Sequence, residues 1–138
     1  MTGKVLLAVD TSVAVPLLIA THPEHARIAR WARGRDLALC GHAIAETYAV
    51  ITRLPGDNRL SAADAATLID ENFPVLLALS ASDARNAHRK LADKGLVGGA
   101  VYDGLVALVA SRHRATLVTR DARARGTYEA LGVDVVIP

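Results

Sequence analysis

Four acidic residues stand where a carboxylate could take part in chemistry: Asp10, Glu46, Asp103 and Asp121. Asp10 and Asp121 each come shortly after an aliphatic run. Asp103 opens an apolar segment, where a carboxylate is costly unless a positive charge accompanies it. Glu46 is an isolated acid in a mostly apolar stretch. Each also has a structural interpretation: helix capping for Asp10 and Asp121, a helix-dipole interaction for Asp103, and a solvated charge for Glu46.

If these four acids meet in one pocket, their charges repel one another. Two carboxylates about 4 Å apart repel by about 4 kcal/mol at an effective dielectric constant of 20. Such a cluster predicts a bound cation, and ligands that are all oxygens favour Mg²⁺ or Mn²⁺ over Zn²⁺. A carboxylate-held metal ion can activate water and stabilise a leaving oxygen, which suits hydrolysis of a phosphodiester bond.

Arginines are concentrated near the last of these acids in the sequence. Because arginine binds phosphate, they predict an RNA-contacting rim, with Arg112, Arg120 and Arg123 as the candidates. The alternative for any single arginine is a place on a solvated helix face. The net charge of +2 is only weak support for a polyanionic partner. The whole group comprises Arg112, Arg114, Arg120, Arg123 and Arg125.

The segments that would position the acids alternate between strands and helices, which predicts an α/β fold with a central, mostly parallel sheet. In such sheets ligands bind beyond the carboxyl ends of the strands. Thr11 and Ser12 are expected to cap the first helix, which leaves Asp10 free for function. The predicted strands are Lys4–Val9, Leu37–Cys40, Val75–Leu77, Ala115–Val118 and Val133–Ile137. The predicted helices run from Thr11 to Ala20, His22–Ala32, Ala43–Arg53, Ser61 to about Phe73, Ser82 or Asp83 to about Lys94, Val101–Arg112 and Ala122–Leu131.

The length of 138 residues and a hydrophobic content of 51% predict one globular domain over residues 1–138. No apolar run approaches the roughly 18 residues of a membrane span. The single cysteine, Cys40, lies in an apolar run and excludes an internal disulfide. We therefore expect a buried thiol and a cytoplasmic protein.

Several short motifs, in their order and spacing, carry a resemblance over essentially the whole chain. They are Ala8-Val9-Asp10-Thr11-Ser12, the helix glutamate Glu46, Tyr102-Asp103, Leu117-Val118-Thr119-Arg120-Asp121 and Tyr128-Glu129-Ala130-Leu131-Gly132-Val133. In these motifs the chain resembles the PIN-domain family, and within it the VapC-type toxins of bacterial toxin–antitoxin pairs.

The resemblance implies a three-layer α/β/α fold and an endoribonuclease that depends on Mg²⁺ or Mn²⁺. It implies a homodimer and a cognate antitoxin of the VapB type that blocks the active site. It assigns Asp10, Glu46, Asp103 and Asp121 to the catalytic pocket. The metal ligands are expected among Asp10, Asp103 and Asp121, with direct contacts by Glu46 and Asp121 left open. Thr11, Ser12 and Thr119 are the supporting hydroxyls that it suggests.

Two other functions fit parts of the pattern. Asp10-Thr11-Ser12 begins like the motif of an aspartate-based phosphotransfer enzyme, but Ser12 stands where that chemistry needs a second aspartate. The acids could instead form a non-catalytic pocket that binds a basic peptide. A nuclease assay with and without metal separates these alternatives from a ribonuclease.

Overall fold

A single parallel sheet organises the chain in the computed structural model, which describes residues 5–138. Its strands lie in the order β3-β2-β1-β4-β5, and every neighbouring pair is parallel. The connections lead from β1 to β2 and β3 on one side and to β4 and β5 on the other. The switch point, where such sheets form ligand sites, therefore lies between β1 and β4. The strands are β1 (Leu7–Val9), β2 (Leu37–Cys40), β3 (Leu76–Leu77), β4 (Thr116–Val118) and β5 (Val135–Val136).

Helices precede or follow each strand, so the predicted mixed α/β class with a central parallel sheet is confirmed. A 3₁₀ turn at Gly56–Asn58 joins the third and fourth helices. Within residues 5–138, none of the helices has the length and apolar character that crossing a membrane requires. The helices are α1 (Thr11–Leu18), α2 (His25–Ala32), α3 (His42–Thr52), α4 (Ala62–Asn72), α5 (Ala81–Asp93), α6 (Ala100–Arg112) and α7 (Ala122–Ala130).

The core is built mainly from aliphatic side chains of β1, β2, β4, α1 and α6. Two glycines let helices approach closely. Gly41 has a φ of +60°, and a Cβ there would lie 2.9 Å from Cγ2 of Val109, so the start of α3 packs directly on α6. A Cβ at Gly104 would overlap Leu91 of α5. Cys40 is buried as predicted, and burial raises the pKa of its thiol to about 12.

Several predicted boundaries are wrong by a few residues because local hydrogen bonds decide them. Helix α2 begins at His25 instead of His22, since the Nδ1 atom of His22 accepts from the backbone N–H of Glu24 in a turn. Helix α5 begins after Ser80, whose hydroxyl accepts from the Asp83 N–H at 3.1 Å, and not at Ser82 or Asp83. Helix α1 ends at Leu18, before the predicted Ala20. Lys4, the predicted start of β1, lies outside the described residues.

Candidate active site

The four acids singled out in the sequence line one cavity at the carboxyl edge of β1 and β4. Asp10 directly follows β1, and Asp121 comes three residues after the end of β4. Glu46 extends from α3, and Asp103 from the first turn of α6. The cavity has a volume of about 190 Å³, and its lining includes Asp10, Thr11, Ser12, Glu46, Asp103, Asp121 and Tyr128. The structure therefore brings together acids that are far apart in the sequence.

Asp10 is held rigidly at the base of this cavity. Its side chain is only 5% exposed. One carboxylate oxygen, Oδ1, accepts hydrogen bonds from the Ser12 N–H at 3.0 Å and from the Ser12 hydroxyl at 2.6 Å. The other, Oδ2, accepts from the Tyr128 hydroxyl at 2.8 Å. Asp10 is also the N-cap of α1, so the prediction that Thr11 and Ser12 would cap this helix is wrong.

A chain of hydroxyl groups ties the loop after β1 to the loop after β4. The Ser12 hydroxyl lies 3.3 Å from that of Thr119 and accepts from the Arg120 N–H at 2.8 Å. The Thr119 hydroxyl accepts from the Asp121 N–H at 3.1 Å. Thr119 is completely buried, so it positions Asp10 and Asp121 and is not open to substrate.

Thr11 provides a second connection, between α1 and α3. Its hydroxyl donates to the Ala43 carbonyl at 3.4 Å and accepts from the hydroxyl of Thr47 at 3.2 Å. Thr11 also lines the cavity. This link fixes the start of α3, and it thereby sets the position from which Glu46 reaches the acids. Glu46 itself is exposed, with its Oε2 atom 3.8 Å from the Nε2 atom of His42.

Asp103 has the most unfavourable environment of the four acids. Burial and the negative charges of Asp121, Asp10 and Glu46 raise the pKa of its carboxyl, and Arg123 only partly offsets them. Among residues 5–138, no group donates a hydrogen bond to Asp103 or forms an ion pair with it. The charges of the four acids therefore act on one another, and the Asp103 carboxylate has neither a hydrogen-bond donor nor an ion-pair partner among the described residues.

Asp121 combines the two roles considered for it. Its Oδ1 atom accepts from the backbone N–H groups of Arg123 at 2.9 Å and Ala124 at 3.4 Å, so Asp121 is the N-cap of α7. It also lines the acidic cavity and a neighbouring one of about 400 Å³ that it shares with Asp103 and Arg123. Asp121 therefore both caps α7 and contributes to the lining of the two cavities.

The arginines separate into two groups. Arg123 lies beside the acids, and Arg120 contacts the same loop by donating from Nη1 to the Ser12 carbonyl at 3.0 Å. Arg112 does not join them. A rise of about 1.5 Å per residue places it about 14 Å along α6 from Asp103. There it pairs with Asp83 at 2.9 Å and lines a separate cavity with Arg114. The prediction that Arg112 would lie near the acids is wrong.

The donor set suits a hard divalent cation. Every ionisable group that the cavity presents besides Tyr128 is a carboxylate, and Asp103 lacks a protein partner. Over residues 5–138, no three acidic, histidine or cysteine side chains are close enough to form a closed ligand set. Mg²⁺ does not need one, because it keeps several waters and commonly binds through one or two carboxylates. The cavity between the acids fits such a site, because it offers carboxylate oxygens and is open to water.

The sequence interpretation missed one residue of this site. Tyr128 is only 1% exposed and positions Asp10 through its hydroxyl. Its sequence signal was weak: one tyrosine in α7, a helix whose other residues are alanine, glycine, threonine, arginine and glutamate. A buried tyrosine hydroxyl requires a polar partner, and only the fold reveals that the partner is Asp10.

The parallel sheet, its switch point and the acidic cavity define an α/β domain with a carboxylate site. The sequence model of the PIN domain matches residues 7–130, which is most of the chain. The chain therefore belongs to the PIN-domain family.

Several proteins that are similar to this chain carry names of VapC-type ribonucleases or of VapBC assemblies. Ribonuclease VapC27 of Mycobacterium tuberculosis is 57% identical over 131 residues, which cover 95% of this chain and 96% of that protein. The crystal structure of VapC20 from the same organism, described as a toxin that cleaves the Sarcin-Ricin loop, is 19% identical. It has a TM-score of 0.67, with 87% of this chain and 93% of that one covered. The structure of VapBC2 from Rickettsia felis, bound to a DNA fragment from their promoter, is 16% identical with a TM-score of 0.65 and covers 96% and 98% of the two chains.

Proposed function

We propose that this chain is a cytoplasmic endoribonuclease that hydrolyses RNA with Mg²⁺ or Mn²⁺ and acts as the toxin of a toxin–antitoxin pair. The observation that carries the proposal is the convergence of Asp10, Glu46, Asp103 and Asp121 on one cavity. The 57% identity to a ribonuclease over nearly the full length of both proteins supports RNA as the substrate.

The side chains have distinct roles in this proposal. Asp10, Asp103 and Asp121 supply oxygen ligands, and Glu46 contributes from the exposed side of the cavity. Asp10 stays in place because Ser12 and Tyr128 donate to both of its oxygens. Fixed ligands reduce the reorganisation that binding would otherwise require. A bound Mg²⁺ or Mn²⁺ supplies Lewis-acid chemistry that activates water and stabilises charge on the phosphate and the leaving oxygen.

The surroundings of the acids favour an extended polyanion as substrate. The acidic cavity and the cavity beside Arg123 are neighbours, because Asp103 and Asp121 line both of them. Arg123 would hold a phosphate next to the one that is cleaved, because guanidinium groups bind phosphate oxygens well. Arg120 is tied to the Ser12 carbonyl and is the less available of the two. Arg112 is too remote to touch the same phosphates.

The partners in this proposal are an antitoxin of the VapB type and a second copy of the chain. Their support is the resemblance to VapC-type toxins. The fold match to VapBC2 is consistent with such an assembly. Co-expression with the product of an adjacent small reading frame, followed by light scattering, would reveal both assemblies by mass.

The alternative of an aspartate-based phosphotransfer enzyme is less compatible with the site. That chemistry needs a second aspartate two residues after the nucleophile, and Ser12 occupies this position and donates its hydroxyl to Asp10 at 2.6 Å. A non-catalytic peptide-binding pocket would not require the chemistry of a divalent cation, so it differs from a ribonuclease in a simple assay.

The experiment incubates the purified protein with total RNA and maps new ends by sequencing. The proposal predicts defined cleavage with Mg²⁺ or Mn²⁺, loss of cleavage in EDTA, and recovery when Mn²⁺ is restored. Asp103→Asn should lower cleavage by at least about 100-fold, since loss of a single electrostatic stabiliser at an active site commonly has that effect. Arg112→Ala is the matched control and should retain cleavage. Cleavage that is indifferent to EDTA would exclude the proposed mechanism.

A further inference from the structure

Two rings stack between the first turns of α3 and α6, the helices that carry Glu46 and Asp103. His42 is the first residue of α3, and Tyr102 lies in the first turn of α6. Their ring centroids are 4.7 Å apart, and the ring planes differ by 25°. Gly41, directly before His42, packs closely against Leu105 and Val109 of α6 and so holds the start of α3 on this helix. The stack is therefore fixed by the packing of both helices.

The pair stands beside the acids that face the scissile phosphate in the proposed function. His42 places Nε2 3.8 Å from Oε2 of Glu46, and Tyr102 directly precedes Asp103. In a nucleotide whose phosphate lies at the acids, only the sugar separates that phosphate from the base. The base next to the cleaved bond is therefore the part of the RNA that we expect at these rings.

Tyr102 is exposed, whereas most aromatic side chains of this protein are buried or half-buried. The chain has one Trp, three Tyr and one Phe. Phe73 and Tyr128 are each 1% exposed, Trp31 is half-buried, and Tyr48 is 38% exposed. Tyr102 is the most exposed of these aromatic residues, at 53%, although His42 covers one face of its ring. In residues 5–138, its hydroxyl has no hydrogen-bond partner. The ring thus offers apolar surface to a ligand.

We propose that Tyr102, supported by His42, forms a subsite on which a nucleobase adjacent to the cleaved phosphate stacks. The proposal rests on the proposed ribonuclease function and names a contact with the substrate. Aromatic side chains bind single-stranded RNA in this way because every base has a π-face, and the contact tolerates different base identities. Since Tyr102 directly precedes Asp103 on α6, a base stacked on its ring would also keep the neighbouring phosphate close to the acids.

The test compares RNA binding by the wild type, Tyr102→Ala, Tyr102→Phe and Tyr48→Ala. The probe is a fluorescein-labelled single-stranded oligoadenylate, and binding is followed by fluorescence anisotropy in EDTA so that no cleavage occurs. Each titration is repeated over a range of salt concentrations. Tyr48→Ala is the matched control, since it removes another exposed tyrosine that lines a different cavity.

Loss of a stacked base should weaken binding by Tyr102→Ala about 5- to 150-fold, whereas Tyr102→Phe and Tyr48→Ala should stay within about two-fold of the wild type. The slope of log affinity against log salt should not change, because no phosphate contact is lost. Equal affinity of Tyr102→Ala and the wild type would overturn the subsite. So would equal weakening by the Phe and Ala variants, since that would assign the effect to the hydroxyl.

Failure of the subsite and failure of the ribonuclease function give different results. If the wild type cleaves total RNA with Mg²⁺ while Tyr102→Ala binds oligoadenylate normally, only the subsite is wrong. If the wild type neither binds the oligonucleotide nor cleaves RNA, the ribonuclease function is wrong, and the subsite with it.

Discussion

Replacing Tyr128 by phenylalanine removes one hydroxyl from the site and leaves the packing of the ring unchanged. The hydroxyl donates to Oδ2 of Asp10 at 2.8 Å, and both residues are almost fully buried. Burial and the charge of Asp10 raise the pKa of Tyr128 well above its ordinary value near 10. The group is therefore a proton donor at every pH at which the protein is studied.

A buried hydrogen bond to a charged acceptor contributes about 1.5–3 kcal/mol, so Tyr128→Phe should lower the free energy of unfolding at pH 7 by that amount. For a chain of this length, the midpoint of thermal unfolding should fall by about 5–10 °C. At alkaline pH the difference should shrink. The tyrosine of the unfolded wild type ionises near pH 10 and the buried one does not, which destabilises the wild type by about 1.4 kcal/mol at pH 11. The phenylalanine variant has no hydroxyl at this position to ionise, so its free energy of unfolding does not fall for this reason.

Urea unfolding at pH 7 and pH 11 measures both effects, with Tyr48→Phe as the control. The hydroxyl of Tyr48 makes no hydrogen bond within residues 5–138, so its removal should change the free energy of unfolding at pH 7 by less than about 0.5 kcal/mol. A cost for Tyr128→Phe that is as small as that of the control would refute the idea that this tyrosine positions Asp10. A difference that does not shrink at pH 11 would refute the electrostatic explanation.

Three further substitutions test the ionisation of Asp103, the cap of α7 and the backbone at Arg114. Asp103→Asn should stabilise the metal-free protein, because the raised pKa of Asp103 means that its ionisation opposes folding. The gain in the free energy of unfolding should therefore appear as the pH rises above about 4. Urea denaturation at pH 3 and pH 7 would measure it. Asp121→Asn should keep the cap of α7 and lose RNA cleavage, whereas Asp121→Ala should also lose about 1 kcal/mol of stability in urea. Arg114→Gly should gain about 0.5–1 kcal/mol in the same assay without affecting cleavage, because Arg114 has a φ of +54° that glycine adopts without strain.

The sequence predicted the elements and the convergence of the acids better than their local contacts. Alternating aliphatic strands and amphipathic helices leave few arrangements other than a parallel sheet, and its carboxyl edge then gathers Asp10 and Asp121. The capping residue of α1 was predicted wrongly because Asp10, Thr11 and Ser12 are all good capping residues. Only the backbone at Asp10, with ψ near 180°, identifies which of them precedes the helix.

Positions near in sequence can lie at opposite edges of the sheet, and this explains the error at Arg112. Helix α6 starts at the acids and ends at the far edge, so its last turn moves away from the site that its first turn forms. The contact of Tyr128 with Asp10 spans most of the chain, and no local pattern encodes it. Long-range contacts between single polar groups depend on the completed packing.

Direct titration with Mn²⁺ tests whether the carboxylates act together to hold a divalent cation. Isothermal titration calorimetry on the purified protein should detect Mn²⁺ binding that Asp10→Asn and Asp103→Asn each weaken by about ten-fold or more, because even the loss of an outer-shell partner commonly costs that much affinity. Arg112→Ala should bind as the wild type does. Mn²⁺ binding of equal strength in all four proteins would contradict the claim.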